Sequence, residues 1–352
     1  NAAGLNLGTE DDPFTTIGAA LAISVDGDCV RLAGDGTEAA FDEQIQLDPW
    51  HELAVTQWPG RPQAHVDFAS GLGGFDQATV YKRVGWGAGV LEISGLHLWN
   101  SAAPDNDAFC SVLRECNAAG QRVIWDNIVR QGHAIRGAMF IEIQDGTWLI
   151  RGGVRDALGE TTSGNRGGRC FYCTGQSGGT VLVEGFFVDN CDTDDWAFYT
   201  SVQTGGTFTA DRITVEQKGM GQAIAMWLKA AGITRFTRGI AKIRHMGPGA
   251  TVGIEVLDSD SFFGETIFER MEVDAAQNDP TINRQTGILV AGSPGVTFRN
   301  CTIMGDYAGV VAISGPFGFL PSGMHALTLQ NSIIMSRRDG WQLYGERTPG
   351  IG

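Results

Sequence analysis

Apolar and polar residues alternate along this chain in short bursts, and the bursts themselves recur. Six segments, starting at Gly89, Gly179, Gly206, Gly264, Pro294 and His325, share one pattern. Apolar residues or Thr take the third and fifth positions, and a polar or glycine pair follows. Apolar or small residues then return at the eighth and tenth positions. Weaker copies start at Gln121, Gly146 and Gly232, and successive starts lie 25 to 33 residues apart. A period of two within each half predicts a strand with one buried face. The pair between the halves, as in Ser94-Gly95, Glu184-Gly185 and Gln330-Asn331, includes Gly or Asn. Both tolerate the left-handed backbone of a sharp bend.

A strand, a bend and a strand, repeated at near-constant spacing, predict the coils of a solenoid. One coil cannot bury its inner face alone, but stacked coils share parallel ladders and one long core. The fold class expected is all-β: a right-handed parallel β-helix of about ten coils, roughly 50 Å long at about 4.8 Å per coil. A propeller, leucine-rich repeats and helical repeats each need a frame that is absent. The tails between copies, such as residues 159–170 and 277–287, read as loops. Val181, Val183, Phe298, Cys301, Ile303, Leu327 and Leu329 are expected in one continuous core.

Residues 1–352 form a single domain in this reading, with 1–32 as N-terminal cap and first strand and 33–352 as coils. Residues 10–24 predict a short helix that closes the first coil, with Asp12 as its cap, Pro13 at the first helical position, and Ile17, Ala20 and Leu21 on one face. Residues 344–352 contain no comparable helix, so this end is expected to recruit other chains, most simply as a homotrimer.

Composition narrows the picture. The chain has 352 residues, 43% of them hydrophobic and 18% charged, with 50 glycines. So much glycine with so little charge excludes a helical bundle, and the glycines lack a collagen period. Forty acids against 25 bases give a net charge of −15, and Lys82, Lys218, Lys229 and Lys242 are the only lysines. Such a surface repels phosphate backbones and anionic lipid, so neither nucleic acid nor membrane is an expected partner. No run of 18 apolar residues occurs. Seven scattered cysteines do not form a disulfide framework, and Cys170-Phe-Tyr-Cys173 lacks a second pair for zinc. They read as buried thiols of a chain folded in a reducing compartment.

The stretch Asp12-Pro-Phe-Thr-Thr-Ile-Gly-Ala-Ala-Leu21, followed by Gly27-Asp-Cys-Val-Arg-Leu32, resembles the opening of pectate-lyase-like right-handed β-helix proteins. There a P-x-x-T-I-x-x-A-L … G-D-x-V stretch forms the cap helix and first strand. Segments such as Thr297-Phe-Arg-Asn-Cys-Thr-Ile-Met304 are similar to its coils. The resemblance covers nearly the whole chain and implies architecture, not chemistry. The superfamily holds polysaccharide lyases, glycoside hydrolases, phage tailspikes and virion surface proteins. The R-x-x-P-x-x-R stretch of some lyases is absent. The hydrolase motifs have only loose echoes, Asp194-Asp195 and Gly132-His133-Ala134, in the wrong order.

The richest polar segment is Val188–Trp196. Asp192, Asp194 and Asp195 are the catalytic candidates, with Lys218 one coil on and His245 two coils on, beside Lys242; Asp156 lies at a similar phase one coil earlier. Acids followed by bases suit proton abstraction from a sugar. Asp189, Asp192 and Asp194 are the metal candidates, and calcium is the ion such oxygen donors take; otherwise the sequence asks for no cofactor. A solvated acidic loop has the same composition. Trp86, Trp99 and Trp196 are the candidates for glycan stacking or interfaces. The favoured function is a structural or adhesion module that can hold glycans, of phage decoration or tailspike type. It would be assembled in the host cytoplasm with other virion proteins or copies of itself. The alternative is a secreted polysaccharide lyase or glycoside hydrolase.

Overall fold

The computed structural model describes residues 13–36, 41–69, 75–100, 109–132, 137–155, 169–191, 196–202, 205–217, 223–230, 233–245, 251–257, 265–277, 285–291, 295–313, 327–337 and 341–346. They build a parallel β-solenoid with three columns of strands. Columns one and two make one sheet of 20 strands, and column three is a separate sheet of 11. All the strand pairs are parallel, each strand matching its counterpart one coil away, as in Val181–Phe208 and Phe268–Phe298.

All nine segments found in the sequence open strands of column one, from Gly89–Ser94 to Leu327–Gln330. The 11 strands of column three exceed the ten or so coils expected. The additional strands of column one are Asp28–Leu32 and Leu53–Gln57, which pair with each other and then with Gly89–Ser94. Column three was hidden in the tails read as loops. Arg169–Gln176 and Gln285–Ala291 are strands. In Cys170-Phe-Tyr-Cys173 apolar residues face both ways, so the alternation that marks a half-buried strand disappears.

One hydrophobic cluster runs inside the coils from Ile17 to Val310. Val181, Val183, Phe298, Cys301 and Ile303 belong to it, and Leu329 is partly buried against it. The side chain of Leu327 lies outside the described residues. A single inward row links Val30, Val55, Ile93, Trp125, Ile150, Val183, Ala210, Phe236, Phe268, Phe298 and Leu329 through successive coils. Within it Phe236, Phe268 and Phe298 stack at 5.3 and 4.8 Å. Such offset stacks add to the burial of the rings.

The bend between columns one and two is two residues long in seven coils, with left-handed backbone at Gly95, Gly185, Arg212, Arg238, Arg270, Asn300 and Asn331. Gly and Asn were expected there; three consecutive coils use Arg instead. The reason lies in the neighbouring coil. Arg212 reaches Glu184 at 2.5 Å, and Arg238 hydrogen-bonds Asp211 and holds its carboxyl below the usual range. Arg151 bridges Glu184 and Asp126 at 2.7 and 3.7 Å. Farther along, Asn331 Nδ2 donates to Asn300 Oδ1 at 2.7 Å.

The cap helix is shorter than expected. It spans Ile17–Ile23, with Thr16 as N-cap accepting from the Ala19 amide. Pro13 precedes the helix, and Asp12 lies outside the described residues. The first-turn amides of Ile17 and Gly18 donate to the carboxylate of Glu43, 3.1 and 2.8 Å away. A distant acid therefore does the work assigned to Asp12. Ile17 and Leu21 are buried and Ala20 packs against the core, as the helical spacing implied.

Candidate functional site

Column three is flanked on both sides by the segments that vary in length. The bends between columns one and two hold two residues each in the seven coils named above. The connections into and out of column three range from two to 13 residues. Rigid strands with variable connections are the usual setting of binding groups.

The outward row of column three runs Gln46, Tyr81, Val112, Phe140, Tyr172, Tyr199, Trp227, Glu255, Leu289, Val311, Tyr344. Its direction follows from strand alternation: Met139, Ile141, Phe171, Cys173 and Phe198, one residue away, lie in the core. Ala78, Tyr81, Val112 and Phe140 form a second apolar cluster outside the main one, with Tyr172 against it. Phe140 stacks on Tyr172 at 4.9 Å, and Tyr172 on Tyr199 at 4.5 Å. These ring faces are taken up by one another, and Phe140 and Tyr199 are only 9% and 6% exposed. The stack is a packed ridge under the site, not a platform for sugar rings.

Charges border this ridge in pairs. Arg83 donates to Glu115 at 2.9 Å, and Arg114 to Glu142 at 3.1 Å. Glu255 differs. It is half-buried between the core residues Ile254 and Val256, and burial pushes its carboxyl above the usual range. No hydrogen bond or ion pair to it is found among the described residues. Sequence reasoning passed over Glu255, although a lone acid inside Thr251-Val-Gly-Ile-Glu-Val-Leu257 is a visible signal.

The sequence candidates cluster by topology. Asp192, Asp194 and Asp195 fall between the strands Phe187–Cys191 and Trp196–Val202, and Lys218 between Thr214–Gln217 and Ala223–Ala230. All four lie outside the described residues. His245 ends the strand Ile240–His245. Cys191 pairs with Gln217 and Gln217 with Ile243, so these three connections leave column two at one register on successive coils. The side chains of His245 and Trp196 are outside the description. Asp189 is exposed and in register with Arg155. Lys242 pairs with Glu272 at 3.5 Å. Among the described residues no three acids, histidines or cysteines are grouped to hold a metal. Cys170 and Cys173 are free and buried, three residues apart on one strand and so on opposite faces.

The indoles are fixed in the framework. Trp86 is half-buried and donates to the carbonyls of Arg83 and Arg114 at 3.0 and 2.7 Å. Trp99 is half-buried and stacks on His97 at 6.2 Å. No known protein family, curated protein or solved structure matches this chain.

Proposed function

We propose that this protein is a rigid surface module that holds a polysaccharide across column three, with the flanking connections as its contact segments. The observation that carries the reading is the confinement of length variation to the two margins of that column, while the opposite bend stays constant. A solenoid of this kind suits either adhesion or polysaccharide chemistry. We favour adhesion, in the manner of phage decoration or tailspike proteins of the pectate-lyase-like superfamily. In the last coil the inward positions Leu329 and Ile334 are partly exposed, whereas Phe298 and Ile303, one coil below, are closed. They offer an apolar surface for self-association or attachment to a larger particle. Affinity electrophoresis in polysaccharide gels tests the binding. Retardation that is lost when Asp192, Asp194 and Asp195 are replaced by Ala supports it. Reducing ends or unsaturated uronates released by the parent chain, with or without calcium, would instead establish the enzyme alternative.

A further inference from the structure

Resting on that reading, we propose that Glu255 is the contact carboxyl of column three and selects an uncharged, hydroxyl-rich glycan over a polyuronate. Its place argues for a role outside the fold. Glu255 is the only ionisable acid or base in an outward row of eleven. In the next coil the same position is Leu289, so the fold itself accepts an aliphatic side chain there. A carboxyl held in a partly dry setting without a partner costs stability, and such a cost is kept where a ligand supplies the missing hydrogen bonds.

The ligand class follows from charge. Sugar hydroxyls both donate and accept, so they satisfy this carboxyl whether or not it carries its proton. A uronate brings a second anion to a place where burial already disfavours the first. The described cations nearest the ridge, Arg83 and Arg114, are engaged by Glu115 and Glu142. The chain as a whole carries −15. Lys229 lies on the strand that pairs with Glu255's own, and it is the one group that could reverse the preference.

The test uses the full chain in gels of dextran or galactomannan, and of polygalacturonate or alginate. A neutral polymer should retard it at least about tenfold more strongly than either uronate, the scale of discrimination by like-charge repulsion. The variant Glu255→Leu should melt at a higher temperature than the parent and yet lose at least about fivefold in neutral-polymer affinity, since it removes both the desolvated carboxyl and the ligand's partner. Glu255→Gln, which keeps the hydrogen-bonding shape, should retain part of that affinity and narrow the gap to uronates. Uronates that bind as well as neutral polymers, with or without dependence on Lys229, would overturn the selectivity. Unchanged neutral binding in Glu255→Leu would overturn the contact role. Failure of the parent chain to bind any polymer would remove the binding reading and this inference with it.

Discussion

The first two coils and the nine that follow share the same three columns but are held by different means. In the later coils one side chain of each type serves every level: rings stack on rings, and bend residues reach back one coil. In the first two coils the links are single and unrepeated. Between Gln57 and His65 there is no two-residue bend. The Gln57 amide instead donates to the carbonyls of Trp58 and Arg61 and accepts from the Ala64 amide. Asp26 accepts the amides of His51 and Glu52. Lys82, fully buried, donates to the carbonyls of Leu47, Trp50, Val84 and Gly85 at 3.2, 2.6, 2.7 and 3.2 Å. The difference teaches where repetition works. A stacked coil has a like neighbour above and below, whereas a coil next to the cap helix must satisfy its backbone with whatever polar groups its own turns supply.

If the stacked rows carry the later coils, cutting one row should have the largest effect. Phe268→Ala, in the middle of the Phe236–Phe298 stack, should cost about 3–5 kcal/mol through lost burial and the cavity it leaves. Urea denaturation checks this, and a loss below about 1 kcal/mol would mean that coils can part locally without disturbing the row.

Lys82 tests the other half of the comparison. Lys82→Met keeps the volume but leaves four buried carbonyls without their donor, a loss of about 1–3 kcal/mol. A variant as stable as the parent would show that the first two coils do not depend on their single links.

The same contrast explains what could be read from the chain. The nine copies were legible because each has one wet and one dry face, and their bends carry a fixed two-residue signature. Column three was illegible because Phe140, Tyr172 and Tyr199 put apolar side chains on its outer face as well. The cap was misplaced because Glu43, more than 20 residues downstream, supplies its acceptors. Of the site, the acidic segment 192–195 could be placed at the margin of column three. Glu255 escaped notice because a lone acid in a strand ordinarily faces water, and only the register shows what surrounds it.

A pH titration separates the two regions by sign. Burial lowers Lys82 from an ordinary 10.5 to about 8. Above pH 8 the unfolded chain keeps a proton that the folded chain releases, so this group makes stability rise with pH. Burial raises Cys116 from 9.0 to about 11 and Cys173 to about 12. Above pH 9 the unfolded thiols ionise while the folded ones stay protonated, so these groups make stability fall. The parent should gain on the order of 1 kcal/mol from pH 8 to 9 and then decline. Lys82→Met should lose the rise and keep the decline. A parent whose melting temperature only falls from pH 8 upward would contradict the assignment.

The smallest effect concerns the arginine bends, where the ladder argument makes opposite predictions for two similar residues. Both Arg238 and Arg270 have left-handed backbone, at φ of 53° and 57°. That conformation is uncomfortable for a residue with a Cβ, and glycine removes the strain while adding freedom to the unfolded chain. At Arg270 the residue one coil below, ahead of the bend, is Thr237, and the guanidinium has only a 3.9 Å approach to Glu269. Arg270→Gly should therefore be neutral within about 0.5 kcal/mol, the two backbone effects nearly cancelling. At Arg238 the corresponding residue is Asp211, which Arg238 and Thr237 both hydrogen-bond. Arg238→Gly should lower the melting temperature, and adding Asp211→Asn should recover part of the loss because the stranded charge is gone. The gap between the two glycine variants should shrink in high salt, since both side chains are more than half exposed. Equal melting temperatures for Arg238→Gly and Arg270→Gly at low salt would show that the inter-coil ion pair adds nothing, leaving the arginines at these bends without a structural reason.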